Sequence, residues 1–329
     1  MIQLRLGPDD LARIRFALSP LEELVHSVPV LTGSGQHMVH RPWRAKALSA
    51  VAGIDLRVLA DLTRGPRFVA DFLAVPPEAM TGRFGDELDA LATTPADDVV
   101  RSLEELRTGQ GLPESLRPLH EHPERELSRL VATMTLYWRA AIEPVWPRLR
   151  SLGDADVAHR ARQLTSGGLD RVFADLHPEV TYASGVLNID KPHHNAVRAA
   201  SGAGLLLVPC VFAWPRLLVL HNAPQQPTLT YSPRGIGQLW SARDDARSQP
   251  LAELMGRSRA ALLVHLDLPV STTQLAAYVG VSSAAVSQHL AVLRRCGLVT
   301  SHRSGRWMLH QRTALATELL QPAEEPKSR

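Results

Sequence analysis

The sequence predicts an α+β fold in two parts. A large amino-terminal region is helical over residues 1–175 and forms a small antiparallel sheet over 176–240; a small carboxy-terminal domain of helices and a two-stranded hairpin follows. Three observations carry this reading. Apolar residues recur at helical spacing through the first half, β-forming residues crowd together from Val180 onward, and helical spacing returns after Pro250.

Taken in order, a short strand is expected at residues 2–6. Ser19-Pro20 then signals a helix start, with Leu21, Leu24, Val25 and Val28 on one stripe of a helix at 20–28. Further helices are expected at 43–52, 66–74, 97–106, 123–142 and 154–164, separated by Pro, Gly and Thr clusters. Strands are expected at 180–182, 186–189, 205–212, 217–221 and 228–231, and the short turn-rich links between them favour antiparallel pairing. The run 202–220 is the most hydrophobic of the chain, but Pro209, Pro215 and Arg216 interrupt it, so two buried strands are expected there and not a membrane span.

At 329 residues and 45% hydrophobic content, the chain can bury two or three packed cores. The start, MIQLRLGPDD, lacks a basic segment followed by an apolar run, so no secretory signal is expected, and two cysteines fit a cytoplasmic setting. The plan is an amino-terminal domain at 1–240, a polar linker at 241–249, the small domain at 250–321 and a disordered tail at 322–329. Net charge is only +3 but unevenly placed: from Pro250 onward nine Lys/Arg stand against five Asp/Glu. Positive charge gathered in the small domain suits phosphate binding, whereas the near-neutral larger part argues against nucleic acid wrapping around it.

In the small domain, Ser271-x-x-Gln274 has the capping-box pattern, so a helix begins near Thr272 with Leu275, Ala276 and Val279 on its apolar face. Gly280 allows a sharp turn, and Ser282 can cap a second helix. There Val286, Leu290 and Leu293 form the buried stripe, which leaves Ser283, Ala284, Ser287, Gln288 and Ala291 facing outward. Small outward residues let a helix lie deep in the major groove of DNA, and Gln288 is the first choice for a base contact. Thr272, Thr273, Ser282, Ser283 and Ser287 offer hydroxyls to phosphates or base edges, and His289, at the edge of the stripe, is read as packed or touching a phosphate. After Gly297 a strand at 298–302, a tip at 303–306 and a returning strand at 307–309 make a basic wing anchored by Trp307. Arg303, Ser304 and Arg306 at the tip, with Arg294 and Arg295 at the end of the second helix, suit phosphates.

The segment 272–307, TTQLAAYVGVSSAAVSQHLAVLRRCGLVTSHRSGRW, resembles the winged helix-turn-helix of the ArsR-type repressors through its Ser-Gln-His-Leu core, its Leu-Arg-Arg-x-Gly-Leu-Val exit and its Arg-x-Gly-Arg wing. The resemblance implies a cytoplasmic transcriptional regulator, homodimeric, that binds double-stranded DNA at a two-fold symmetric operator. One departure matters. The family's metal sensors place cysteines on the first helix of the motif or Asp/His ligands on the last. Here the first helix reads Leu275-Ala276-Ala277-Tyr278-Val279, and the last offers only Glu318 with His310 nearby. Cys210 and Cys296 match no zinc spacing, so neither a metal site nor a cofactor is expected.

The amino-terminal part is similar, through SPLEEL at 19–24 and TYSPRGIGQLW at 230–240, to a domain of unknown function found in actinobacterial regulators. It is expected to dimerise the chain or to receive a signal, an unidentified small-molecule effector being one form of it. The alternatives are an enzyme, or a protein-interaction module, with an appended DNA-targeting winged helix. His177, Asp190, His193 and His194 are the most suggestive cluster for metal or acid–base chemistry, against the reading of a plain loop. Ser201-Gly-Ala-Gly204 reads as a turn, and Arg234 with Gly235 and Gly237 as an anion cradle or the turn that leaves the last strand. Tyr137, Trp138, Trp146 and Trp214 read as core or as the lining of an apolar pocket. Gly-x-Ser-x-Gly, Gly-x-x-x-x-Gly-Lys and His-Glu-x-x-His are all missing, and no catalytic residue is assigned.

Overall fold

The structure is a computed structural model describing residues 1–33, 38–63, 69–106, 111–191, 194–221, 225–240, 251–266, 269–279, 281–304 and 307–320. The expected linker, 241–249, and tail, 322–329, lie outside the described residues. The chain divides into two compact units, the first ending at Ser232 and the second starting at Pro233.

The first unit opens with β1 (Ile2–Arg5), α1 (Pro8–Ala12), β2 (Ile14–Phe16) and α2 (Pro20–Thr32). Helices follow as α3 (Arg41–Ala50), α4 (Arg57–Thr63), α5 (Phe84–Ala92), α6 (Ala96–Glu105), α7 (Arg117–Glu121), α8 (Pro123–Tyr137) and α9 (Trp146–Ala174). Strands β3 (Val180–Ala183), β4 (Val186–Ile189), β5 (Ala196–Ala199), β6 (Leu205–Pro209), β7 (Leu218–Leu220) and β8 (Thr228–Tyr231) complete it.

The α+β class holds, with one correction to the pairing. In place of a single antiparallel sheet there are two mixed ones, ordered β3-β4-β1-β5 and β2-β6-β8-β7. The short links do give antiparallel pairs, β3 with β4 and β7 with β8, but β1 lies parallel to β5, and β6 lies parallel to both β2 and β8. Strands joined through long connections are not bound to reverse direction, and β1 and β2 come from the far amino-terminal end. The predicted strand 205–212 stops at Pro209, where a 3₁₀ turn at Val211–Ala213 begins. Where a helix at 66–74 was expected, the described part holds only a 3₁₀ turn, Asp71–Leu73, because Ala70 is extended at φ −55°, ψ 124°; residues 64–68 lie outside the described residues.

Helix α2 is capped by the Ser19 hydroxyl, which accepts the Glu22 N–H at 3.0 Å, and starts on Pro20. Its predicted stripe is buried, and so are Glu22, Glu23, His26 and Ser27. One core cluster joins β1, β4 and β6 to Val172 and Phe173 of α9. Near the middle of α9, Arg160 is fully buried between Asp156 and Asp175, and the Tyr231 hydroxyl of β8 donates to Asp156 at 2.8 Å.

The second unit contains α10 (Arg257–Val264), β9 (Val270–Ser271), α11 (Thr272–Val279), α12 (Ser283–Arg295), β10 (Val299–Ser304), β11 (Trp307–Arg312) and α13 (Ala314–Leu319). Its core joins Leu262 and Leu263 of α10, Leu275 and Ala276 of α11, Val286, Leu290 and Leu293 of α12, and Ala316 of α13. The three strands pair antiparallel in the order β10-β11-β9. Among the described residues no helix is long and apolar enough to cross a membrane.

Candidate nucleic-acid interface

The start of α11 is a reciprocal capping box. The Ser271 hydroxyl accepts the Gln274 N–H at 3.2 Å, and the Gln274 side-chain oxygen accepts the Ser271 N–H at 3.0 Å. Past the turn the Val281 N–H reaches back to the Ala276 carbonyl at 3.1 Å, and Arg234 donates to the Val281 carbonyl at 3.4 Å. Arg234 is thus engaged with the helix-turn-helix backbone, next to Gly235 in the left-handed region at φ 79°.

Helix α12 is closed at both ends. Ser282 accepts the Ala285 N–H at 3.2 Å. At the other end Gly297, at φ 71°, donates to the Arg294 carbonyl and Leu298 donates to the Leu293 carbonyl, the paired bonds of a Schellman motif. With Val286, Leu290 and Leu293 turned inward, Ser282, Ser283, Ala284, Ser287, Gln288, Arg294 and Arg295 are exposed, and Thr272, Thr273, His289 and Ala291 are partly exposed.

The wing is longer than the sequence suggested. Pairing runs from Val299 opposite Arg312 to Ser304 opposite Trp307, so Arg303 and Ser304 belong to the strand and not to a tip at 303–306. Arg303 is exposed; Arg306 lies outside the described residues. This register sets Ser301 across from His310, and both side chains join the site without having been assigned to it from sequence. The His310 ring bonds the Ser301 hydroxyl through Nδ1 at 2.8 Å and the Thr272 hydroxyl through Nε2 at 3.0 Å, which ties the wing to the first turn of α11. Burial, helped by Arg294 and His302, holds its pKa below the ordinary histidine value. Around it Thr272, Ser287, Leu290, Ala291, Arg294 and Ser301 line a recess of about 200 Å³.

The amino-terminal candidates resolve differently. The His177 ring is buried against the Pro215 carbonyl at 3.2 Å and accepts the Glu179 N–H, while Lys191 pairs with Glu179. His193 lies outside the described residues, and among those described no group of three or more His, Cys, Asp or Glu is placed to hold a metal ion. The turn at 201–204 does present a nest of N–H groups, but the chain's own Asp10 occupies it, accepting from Gly202 at 2.7 Å and Gly204 at 3.1 Å. Burial would raise the pKa of Asp10; the N–H donors of Gly204, Gly7 and Gly202, with Arg13, outweigh it and hold the carboxyl low. Trp138 stacks on Phe84 at 4.3 Å and leans on Trp146, and the buried Tyr137 hydroxyl meets Ser27 at 2.8 Å, so these rings pack the helical core.

Sequence reasoning also missed three buried carboxylates at the foot of α2. Glu23 accepts the N–H groups of Val211 and Phe212 at 2.7 and 3.1 Å and the Cys210 thiol at 3.3 Å. Glu22 bonds His26 at 2.8 Å and Thr230 at 3.2 Å; Glu87 accepts from Ser19 and from the Leu21 N–H, both at 2.9 Å. Burial raises Glu23 to about 7 and Glu87 to about 8 in spite of these donors.

Comparison with known proteins agrees with this geometry. Residues 266–301, which hold α11, the turn, α12 and the start of β10, match the family of bacterial regulatory proteins of the arsR type. Residues 116–235 match a family of unknown function (DUF5937). The carboxy-terminal unit therefore carries an arsR-family helix-turn-helix, the mark of a DNA-binding regulator, and a domain of unknown function precedes it. No curated protein and no solved structure matches the chain.

Proposed function

We propose that the chain is a cytoplasmic transcriptional repressor that binds a two-fold symmetric operator as a homodimer. Helix α12 enters the major groove, Gln288 reads a base edge, and Arg294, Arg295, Arg303 and Arg306 neutralise phosphates, joined by the hydroxyls of Thr272, Thr273, Ser282, Ser283, Ser287 and Ser304. His289 packs at the edge of the stripe. The amino-terminal unit dimerises the chain or receives a signal. A dimer that alters the separation of its two recognition helices changes its affinity, because a symmetric operator tolerates a narrow range of half-site spacing. No metal or cofactor takes part in this reading.

The observation that supports it best is the polarity of α12: exposed Ser283, Ser287 and Gln288 over a buried Val286-Leu290-Leu293 stripe, with exposed Arg294 and Arg295 beside them. Two sets of variants test it. Replacing Arg303 and Arg306 by alanine weakens binding to every sequence and lowers the salt slope of log affinity by about 0.9 for each phosphate left unneutralised. Gln288→Ala instead relaxes preference at one base position by roughly 1–3 kcal/mol. An unchanged salt slope contradicts the wing assignment, and an unchanged base preference contradicts the role of Gln288.

A further inference from the structure

The recess between α11, α12 and the wing has the chemistry of an anion seat. Its lining brings the Thr272, Ser287 and Ser301 hydroxyls and the Arg294 guanidinium together, and His310, only 6% exposed, closes it from inside while Ser287 and Arg294 open it to solvent. At about 200 Å³ it holds several waters' worth of space, at about 30 Å³ each. It lacks a carboxylate, and its polar groups come from α11, α12 and the wing, the same elements that carry the DNA contacts proposed above.

The bonding of His310 adds a constraint. A neutral imidazole has one N–H and one bare nitrogen, so one of its two hydroxyl partners must spend its own proton on the ring. A doubly protonated ring donates to both oxygens, and the O–H groups of Thr272 and Ser301 are then both free to turn into the recess as donors.

We propose that this recess seats one phosphate of the DNA backbone, with Arg294 as its counter-charge, and that His310 takes up a proton from solvent as the phosphate enters, turning the Thr272 and Ser301 hydroxyls toward it. The proposal rests on the regulator reading above. The elements packed against His310 carry His289, Arg294 and Arg295 on α12 and His302 and Arg303 on β10, and its own strand carries Arg312; of these Arg294 and His302 act on its charge, and β9 carries none. These neighbours and burial keep the ring largely neutral in the free protein at neutral pH. A bound phosphate stabilises the charged ring, so affinity rises as pH falls through the bound-state pKa and levels off below the free-state one.

The test uses the full-length chain and a short random-sequence duplex, with binding measured by fluorescence anisotropy from about pH 8 down to about pH 5.5. The expected result is tightening that approaches, at most, about tenfold per pH unit, and loss of that component in His310→Gln, whose amide cannot donate to both hydroxyls. In parallel, NMR of the parent labelled at histidine follows the His310 pKa directly, which moves upward when duplex is added. Equal pH slopes in parent and His310→Gln, or a His310 pKa that duplex leaves in place, overturn the seat while the regulator reading stands. A His310 pKa that inorganic phosphate raises and duplex does not overturns the assignment to the DNA backbone. A parent that binds no duplex overturns both readings.

Discussion

Gly204 has φ 76°, and a Cβ placed there would stand 2.5 Å from the Arg13 carbonyl oxygen and 2.7 Å from the Arg13 Cβ. Gly204→Ala is therefore expected to destabilise the first unit by about 2 kcal/mol or more in denaturant unfolding, whereas Gly53→Ala, with open space around its Cβ, stays within about 1 kcal/mol of the parent. Equal stabilities for the two variants would contradict this packing. The buried carboxylates set a pH dependence. Glu23 at about 7 and Glu87 at about 8 lie above their ordinary 4.5, so the folded state holds more protons than the unfolded one, and stability present at low pH is lost as pH rises through those values. Relative to the parent, Glu87→Gln should gain on the order of 1–3 kcal/mol between about pH 5 and about pH 8 in urea unfolding; parallel pH profiles would contradict the assignment. None of this was legible in Ser-Pro-Leu-Glu-Glu-Leu. Two glutamates in the first turn of a helix suit its dipole and ordinarily face water, and only the 3₁₀ turn at Val211 and the strand at Thr230, each about two hundred residues away, reveal that they are enclosed.

Among the elements, α12 was the most legible because its apolar period, its cap and its terminal glycine agree with one another. Ser282→Ala removes the cap and should cost about 1 kcal/mol of stability in the carboxy-terminal unit, read as a lowered unfolding midpoint; an unchanged midpoint would show that the cap contributes nothing. The wing was half legible. Strand formers on either side of Ser-Gly announce a hairpin, but the width of its tip decides the register, and a four-residue tip puts Ser301 opposite Met308 instead of His310. The His310 clamp was missed for that reason. In the first unit β2 and β5 were missed because three or four residues, one of them Ala-Val-Arg-Ala, carry too little alternation to be recognised, and the parallel pairing of β1 with β5 and of β2 with β6 depends on partners far away in sequence. Helices α4 and α5 escaped notice in the same way, being short and flanked by turn residues.

At the scale of the whole molecule, net positive charge lies in the carboxy-terminal part while the longer part is close to neutral, so electrostatic attraction to DNA is local and modest. A single winged helix of this charge gains useful affinity by acting in pairs, since a second linked site adds avidity without new surface. The homodimer proposed above, joined through the amino-terminal unit, would meet that need, and its symmetry would be copied in the DNA it selects. Selection of bound duplexes from a random-sequence pool with the full-length chain tests this most directly. The predicted result is an enriched motif of two inverted half-sites with centres about 10 base pairs, or a multiple of that, apart. A pool that emerges no different from its input, or a motif without two-fold symmetry, would contradict it.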